Sequence, residues 1–132
     1  MYNKFLLSIL FLFIPNMILG KSYMMNCISP VFKKTAFYKF DSNNEKLFMR
    51  SVKKKWKDFC NSNTENEDNI SCTFNKFNII RSSTIKNEQD YLEKYLNINF
   101  AKYSLVETIK IYKNNNLKEQ IDNLYKCRKV KI

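Results

Sequence analysis

Basic side chains at regular spacing are the residues of this chain best suited to chemistry. Lys46, Arg50, Lys53 and Lys57 recur at intervals of four, three and four, and Lys54 lies beside them. On a helix this spacing places the charges on one face, where neighbouring cations repel. An anionic partner would relieve that repulsion, so the spacing predicts a partner-binding surface. The competing interpretation is a solvated face filled by A/T-rich codons, because the chain has 20 Lys against 3 Arg and also 18 Asn.

The chain contains four cysteines, Cys27, Cys60, Cys72 and Cys127. An even number in an oxidising compartment predicts two disulfides. Structural zinc sites use closely spaced cysteine pairs or histidines, and neither is present, so no metal site is predicted. A helical layout favours the pairing Cys27–Cys60 with Cys72–Cys127. The pairing Cys60–Cys72 with Cys27–Cys127 is the alternative.

Catalytic chemistry has few candidate residues. The chain has no histidine and one glycine, Gly20, which excludes histidine-based triads and glycine-rich phosphate loops as they are usually built. Glu88, Asp90 and Glu93 could act as paired carboxylates, but they fall on the solvated face of a predicted helix. We therefore expect neither enzymatic activity nor a cofactor.

The first twenty residues have the pattern of a cleaved signal peptide. Lys4 precedes an apolar stretch, Phe5–Ile14, that Pro15 ends, and the stretch is too short for a transmembrane helix. Cleavage is expected after Gly20 or Ser22. The sequence thus predicts a secreted, extracellular protein in which residues 21–132 form a single helical domain.

Export also gives meaning to the tripeptide Asn69-Ile70-Ser71. It is an N-glycosylation sequon within a polar segment. Surface sequons of secreted proteins are acceptor sites. We expect glycosylation at Asn69.

The strongest secondary-structure pattern lies between residues 42 and 60. Ser42 and Glu45 have the spacing of a capping box, and Phe48, Val52, Trp56 and Phe59 follow as an apolar stripe at helical spacing. This pattern predicts a helix over residues 43–60. Trp56 would then belong to the core rather than to a binding surface.

Similar patterns predict further helices after Pro30 and over 87–96, 104–112 and 117–127, and Ser104 and Glu107 form a second capping box at the start of the helix over 104–112. The lack of glycine disfavours an all-β fold, because tight hairpins need positive φ angles. The fold class predicted from the sequence is therefore all-α, a small disulfide-bonded bundle of about four to five helices.

The net charge of +11 completes the functional expectation. A basic secreted protein without catalytic groups is expected to bind a macromolecular, anionic extracellular partner, as an effector or ligand does. Such a partner would be a protein, an anionic glycan or a membrane surface, and a nucleic acid is not expected. The 8 Tyr and 11 Phe support two alternatives: a carrier of a small apolar ligand in an aromatic-lined cavity, and a cationic membrane-active protein.

Overall fold

The computed structural model describes residues 21–61 and 66–131, which form ten β-strands and no helix. The predicted signal peptide, residues 1–20, lies outside the described residues. Within the described ranges, no helix is long and apolar enough to cross a membrane. The strands are β1 (Ser22–Ile28), β2 (Thr35–Asp41), β3 (Lys46–Ser51), β4 (Lys57–Asp58), β5 (Asp68–Asn75), β6 (Asn78–Asn87), β7 (Asp90–Asn99), β8 (Ser104–Lys113), β9 (Asn116–Leu124) and β10 (Lys126–Lys129).

The strands make two antiparallel sheets of five. Sheet A has the order β10-β1-β2-β3-β4, and sheet B has the order β5-β6-β7-β8-β9. Neighbouring strands in each sheet are consecutive in sequence, except that β10 returns from sheet B to pair with β1. Short hairpins therefore build most of the fold.

The core lies between the inner faces of the sheets. Tyr38 and Phe40 of β2 are buried, whereas the intervening Phe37 and Lys39 are only partly buried, which is the period-two alternation of a strand. Phe40 stacks on two rings from sheet B, Phe74 of β5 and Phe100 directly after β7, with ring centroids 6.1 and 5.5 Å from its own. Burial of such side chains stabilises the fold by about 1.5–3 kcal/mol each.

The all-α prediction is wrong, and the segment over residues 43–60 shows why. It forms β3, a lysine-rich loop and β4. Leu47 is buried at the core, Phe48 points to the outer face, and Val52 is 53% exposed in the loop. The apolar residues at helical spacing therefore do not form a single buried stripe. Phe48 lies on the outer face of β3, and its neighbours Leu47 and Met49 are the residues that pack inward.

The remaining predicted helices are also strands. Residues 87–96 fall largely in β7, 104–112 in β8, and 117–127 in β9 and β10, while the segment after Pro30 is a turn followed by β2. Neither capping box caps a helix. Ser42–Glu45 is the β2–β3 loop, in which Asp41 Oδ1 accepts hydrogen bonds from the backbone N–H groups of Asn43 and Asn44.

Asparagine replaces glycine in the two-residue hairpin between β8 and β9. Asn114 and Asn115 connect β8 to β9 with φ angles of 51° and 64°, and positive φ at both central positions is the requirement of a type I′ turn. Asparagine enters this region more readily than other residues with a side chain. Lys76 and Glu88 also take positive φ in two-residue hairpins. The scarcity of glycine therefore did not exclude an all-β fold.

Two disulfides join the four cysteines, but the preferred pairing was wrong. Cys27 is bonded to Cys127 and Cys60 to Cys72, which is the alternative pairing. Cys27 and Cys127 lie directly opposite each other on β1 and β10, so this bond ties the last strand to the first. The second bond joins the end of β4 to β5 and thus links the two sheets.

One ion pair is buried between the sheets. Arg81 Nη1 lies 2.7 Å from Glu67 Oε2, and their side chains are 1% and 2% exposed. Arg81 Nε also donates to the carbonyl oxygen of Phe59 at 2.6 Å, and the guanidinium lies 3.9 Å from the Phe59 ring centroid. The charge that this core contains is thus paired and hydrogen-bonded, as buried charges need to be.

Candidate functional site

The predicted basic stripe is divided between two places. Lys46 and Arg50 lie on the outer side of β3, Lys53 occupies the following turn with a φ of 65°, and Lys54 and Lys57 border a cleft. Lys46 and Arg50, four residues apart, share the outer face of the strand, but Lys53, Lys54 and Lys57 follow in the turn, the loop and β4 and do not continue that face. The helical stripe is therefore wrong as a geometry, whereas the binding role of its residues stays a prediction.

The cleft opens where the β3–β4 loop faces the inner side of sheet B. It encloses about 370 Å³, which is at the lower end of the range for ligand sites. Five basic residues line it, Arg50, Lys54, Lys55, Lys57 and Lys94, although the guanidinium of Arg50 contacts the Phe37 and Trp56 rings on the outer face of sheet A. Four of these come from sheet A and its loop, and Lys94 comes from β7. The fold thus gathers charges that are far apart in sequence.

Three of these cations form no ion pair within the part of the chain that the structure describes. Lys54, Lys55 and Lys57 are exposed, and none lies within ion-pair distance of an acidic residue among the described residues. Such a concentration of like charge raises the local concentration of anions. The rim of the cleft is therefore suited to receive an anionic group.

The acidic residue in the cleft is already engaged. Glu107 is 8% exposed, and its Oε2 lies 3.3 Å from Lys94 Nζ. It also accepts hydrogen bonds from Asn123 Nδ2 at 3.1 Å and from the Tyr125 hydroxyl at 3.2 Å. These contacts compensate its charge, so Glu107 does not cancel the three exposed lysines.

Two tyrosines complete the interior of the cleft. Burial, followed by the neighbouring Glu107 carboxylate, raises the pKa of Tyr125 to about 12. Burial also raises the pKa of Tyr38, with Tyr125 and Glu107 adding to the effect. Both hydroxyls therefore stay protonated at neutral pH. The Tyr125 proton is donated to Glu107, so Tyr38 is the tyrosine of the cleft that could donate a hydrogen bond to an anion.

A second basic surface lies on the outer face of sheet A. Lys39 Nζ is 4.6 Å from the Trp56 ring centroid, and the Arg50 guanidinium is 5.1 Å from the same ring and 4.2 Å from that of Phe37. Trp56 is partly buried on this face and does not belong to the core, contrary to the prediction. Because the rings and cations already contact one another, this face is less available for a ligand than the cleft.

A groove of about 750 Å³ lies at the other end of the molecule. Lys21, Lys129 and Lys131 border it together with Tyr103. Since Lys21 and Lys131 are the first and last described residues, its boundary depends on chain outside the described ranges. We therefore assign no function to this groove.

Asn69 lies on β5 and is exposed, with a φ of 53°. Its Nδ2 donates to Thr84 Oγ1 at 3.2 Å. Glycosylation at this residue stays a prediction.

Lys55, Lys94 and Glu107 were missed as members of one site. Glu107 was interpreted as part of a helix cap, and Lys94 was placed on a helix. The alternation of Leu105, Glu107 and Ile109 on one side of a strand would have placed Glu107 inward. Its meeting with Lys94 follows from the pairing of β7 with β8, which no local pattern reveals.

The arrangement can bind an anion, and nothing in it resembles a set of catalytic groups. No cluster of three or more potential metal ligands occurs in residues 21–61 and 66–131. Comparisons with protein-family models, with curated proteins and with solved structures find no match to this chain. The inference about function therefore rests on the geometry of the cleft.

Proposed function

We propose that this chain is a secreted, non-enzymatic binding protein whose lysine-rimmed cleft receives an anionic group of an extracellular partner. The observation that carries the proposal is the convergence of Lys54, Lys55 and Lys57 on one cleft without acidic partners among the described residues. The partner types that fit are a protein, a glycan or a membrane surface with exposed anionic groups. No enzymatic step and no cofactor is part of the proposal.

Electrostatic attraction of this kind contributes more to the specificity and the rate of association than to the affinity of the complex. The rim cations are exposed, so the attraction weakens as salt shortens the screening length. Tyr38, which lines the cleft beneath the rim, adds a neutral hydrogen-bond donor to the cations, whereas the Tyr125 hydroxyl already donates to Glu107. The cleft thus combines long-range attraction with short-range donors.

Charge reversal tests the proposal. The triple variant K54E/K55E/K57E should bind an immobilised sulfated polysaccharide about tenfold or more weakly than the unmodified protein, with a flatter dependence on salt. The matched control is K76E/K102E/K118E, which makes the same charge change at exposed positions away from the cleft. Equal losses in the two variants would show that net charge, and not the cleft, governs binding.

A further inference from the structure

The inner face of sheet B continues beyond the core as a row of aliphatic side chains. By strand register, five residues share this face: Ile85, Leu92, Ile109, Ile111 and Ile121. All five are only partly buried, and none is among the partly buried hydrophobic residues that pack on the core. We call these five residues the aliphatic shelf.

The length of the strands explains why the shelf is uncovered. Strands β6, β7 and β8 each have ten residues, whereas the longest strands of sheet A have seven. At about 3.3 Å per residue, the three additional residues make these strands about 10 Å longer than those of sheet A. An apolar sheet face needs a covering layer, and sheet A does not provide one there.

The shelf begins at the basic cleft. Lys94 lines the cleft and is the cross-strand partner of Ile109, which in turn pairs with Ile121. Leu92, two residues before Lys94 in sequence, lies on the same face of β7 and pairs with Ile111. Cations and aliphatic side chains therefore form one continuous surface, charged at the cleft and mainly aliphatic beyond it, with the exposed Glu119 at its outer edge opposite Ile111.

Two other occupants of the shelf fit less well. A second copy of the chain would bring like charges together, since the net charge is +11 and lysines border the shelf at the cleft. The first described residues lie at the far end of the sandwich from the shelf, because Tyr23 contacts Phe77 in the β5–β6 turn, at the end of β6 opposite Ile85. Charge and position thus favour a ligand that is both anionic and aliphatic.

We propose that the partner is a single anionic lipid, whose headgroup binds in the lysine-rimmed cleft and whose acyl chain lies on the aliphatic shelf. This inference rests on the proposed anion-binding function and names its ligand class. The cations attract the headgroup, and removal of the chain and the shelf from water supplies the remaining affinity. A lipid without charge or an anion without a chain uses only half of the surface.

Binding of a chain-length series tests the inference directly. Calorimetry at neutral pH with monomeric dodecanoate, butanoate and dodecanol should give the tightest binding for dodecanoate. We expect dodecanoate to bind at least about a hundredfold more tightly than butanoate, because even partial removal of its eight additional methylenes from water on an open sheet face adds up to a gain of that size. The variant K54E/K55E/K57E should lose dodecanoate binding at least tenfold.

Variants of the shelf provide the second readout. L92A/I111A should weaken dodecanoate binding about tenfold and leave binding of the sulfated polysaccharide unchanged. The matched control is L117A/L124A, which removes exposed aliphatic side chains elsewhere on sheet B. Circular dichroism establishes whether each variant is folded, and the chain-length series needs no shelf variant.

The outcomes separate this inference from the proposed function. If dodecanoate and butanoate bind with equal affinity while the polysaccharide still binds, the lipid proposal is wrong and the proposed anion-binding function is retained. Binding only to intact anionic phospholipid vesicles, without binding of monomers, would also overturn the single-lipid proposal. If the unmodified protein binds neither the polysaccharide nor any of the monomeric anions, both proposals are wrong.

Discussion

The buried ion pair and the lysine-rimmed cleft treat positive charge in opposite ways. Arg81 is 1% exposed and contacts Glu67, the Phe59 carbonyl and the Phe59 ring. Lys54 and Lys57 are exposed and have no acidic partner among the described residues. A charge inside the sandwich must be compensated by the protein itself, whereas a charge at the rim can be compensated by a ligand. The difference separates a structural role from a binding role.

Removal of Arg81 should have the largest effect. R81M leaves the Glu67 carboxylate buried without its cation, so we expect the free energy of unfolding to fall by about 3–5 kcal/mol. Urea denaturation measures this change. The double variant R81M/E67L removes both charges and should recover most of the loss. A loss below about 1 kcal/mol in R81M would show that the pair is not the buried structural element described here.

Alkaline pH should lower the free energy of unfolding by an intermediate amount, through ionisation of Tyr125 in the interior of the cleft. The pKa of Tyr125 is raised from 10.0 to about 12, so the folded state holds this proton more tightly than the unfolded state. The contribution to stability is fully present below pH 10 and is lost as pH rises through about 12. Because Tyr125 is partly exposed, solvent screening reduces the contribution to about 1 kcal/mol.

Comparison with Y125F isolates this effect. Urea denaturation at pH values from neutral to strongly alkaline should show a steeper loss of stability in the unmodified protein than in the variant. Tyr38, whose pKa is also raised, is present in both proteins, and burial, the largest cause of its shift, is the same in both, so most of its effect cancels in the difference. Identical pH profiles would mean that the hydroxyl of Tyr125 is not held by the folded structure.

Neutralisation of the rim should have the smallest effect on stability. K54Q/K55Q/K57Q removes three exposed cations that repel one another, so the free energy of unfolding should stay within about 0.5 kcal/mol or rise slightly. Thermal denaturation at low and high salt measures this, and any gain should diminish at high salt. A large destabilisation would place these lysines with Arg81 as structural residues and would remove the contrast between the two regions.

Some features could be predicted from the residues themselves. The even number of cysteines predicted two disulfides, and two are present. The concentration of lysines between Lys53 and Lys57 indicated a basic surface, and Lys54 and Lys57 do border the basic cleft. These inferences depended only on residue type and proximity in sequence, so they did not require the correct secondary structure.

The secondary structure could not be predicted reliably, because the same apolar residues satisfy two periods. Leu47, Phe48 and Met49 are consecutive, and the helical interpretation used Phe48 while the strand buries Leu47 and Met49. Ser104 and Glu107 matched a helix cap and yet lie within β8. Packing between the sheets selects one period, since a strand gains its stability from neighbours that are distant in sequence.

By itself, the sequence determined the charge, the absence of histidine chemistry and the number of disulfides, because these depend on residue counts. Tertiary structure alone decided which cysteines pair, that Lys94 and Glu107 meet the loop lysines, and that the aliphatic shelf adjoins them. The physical reason is that antiparallel pairing of β6, β7, β8 and β9 brings separate segments onto one face. Local patterns contain no information about that register.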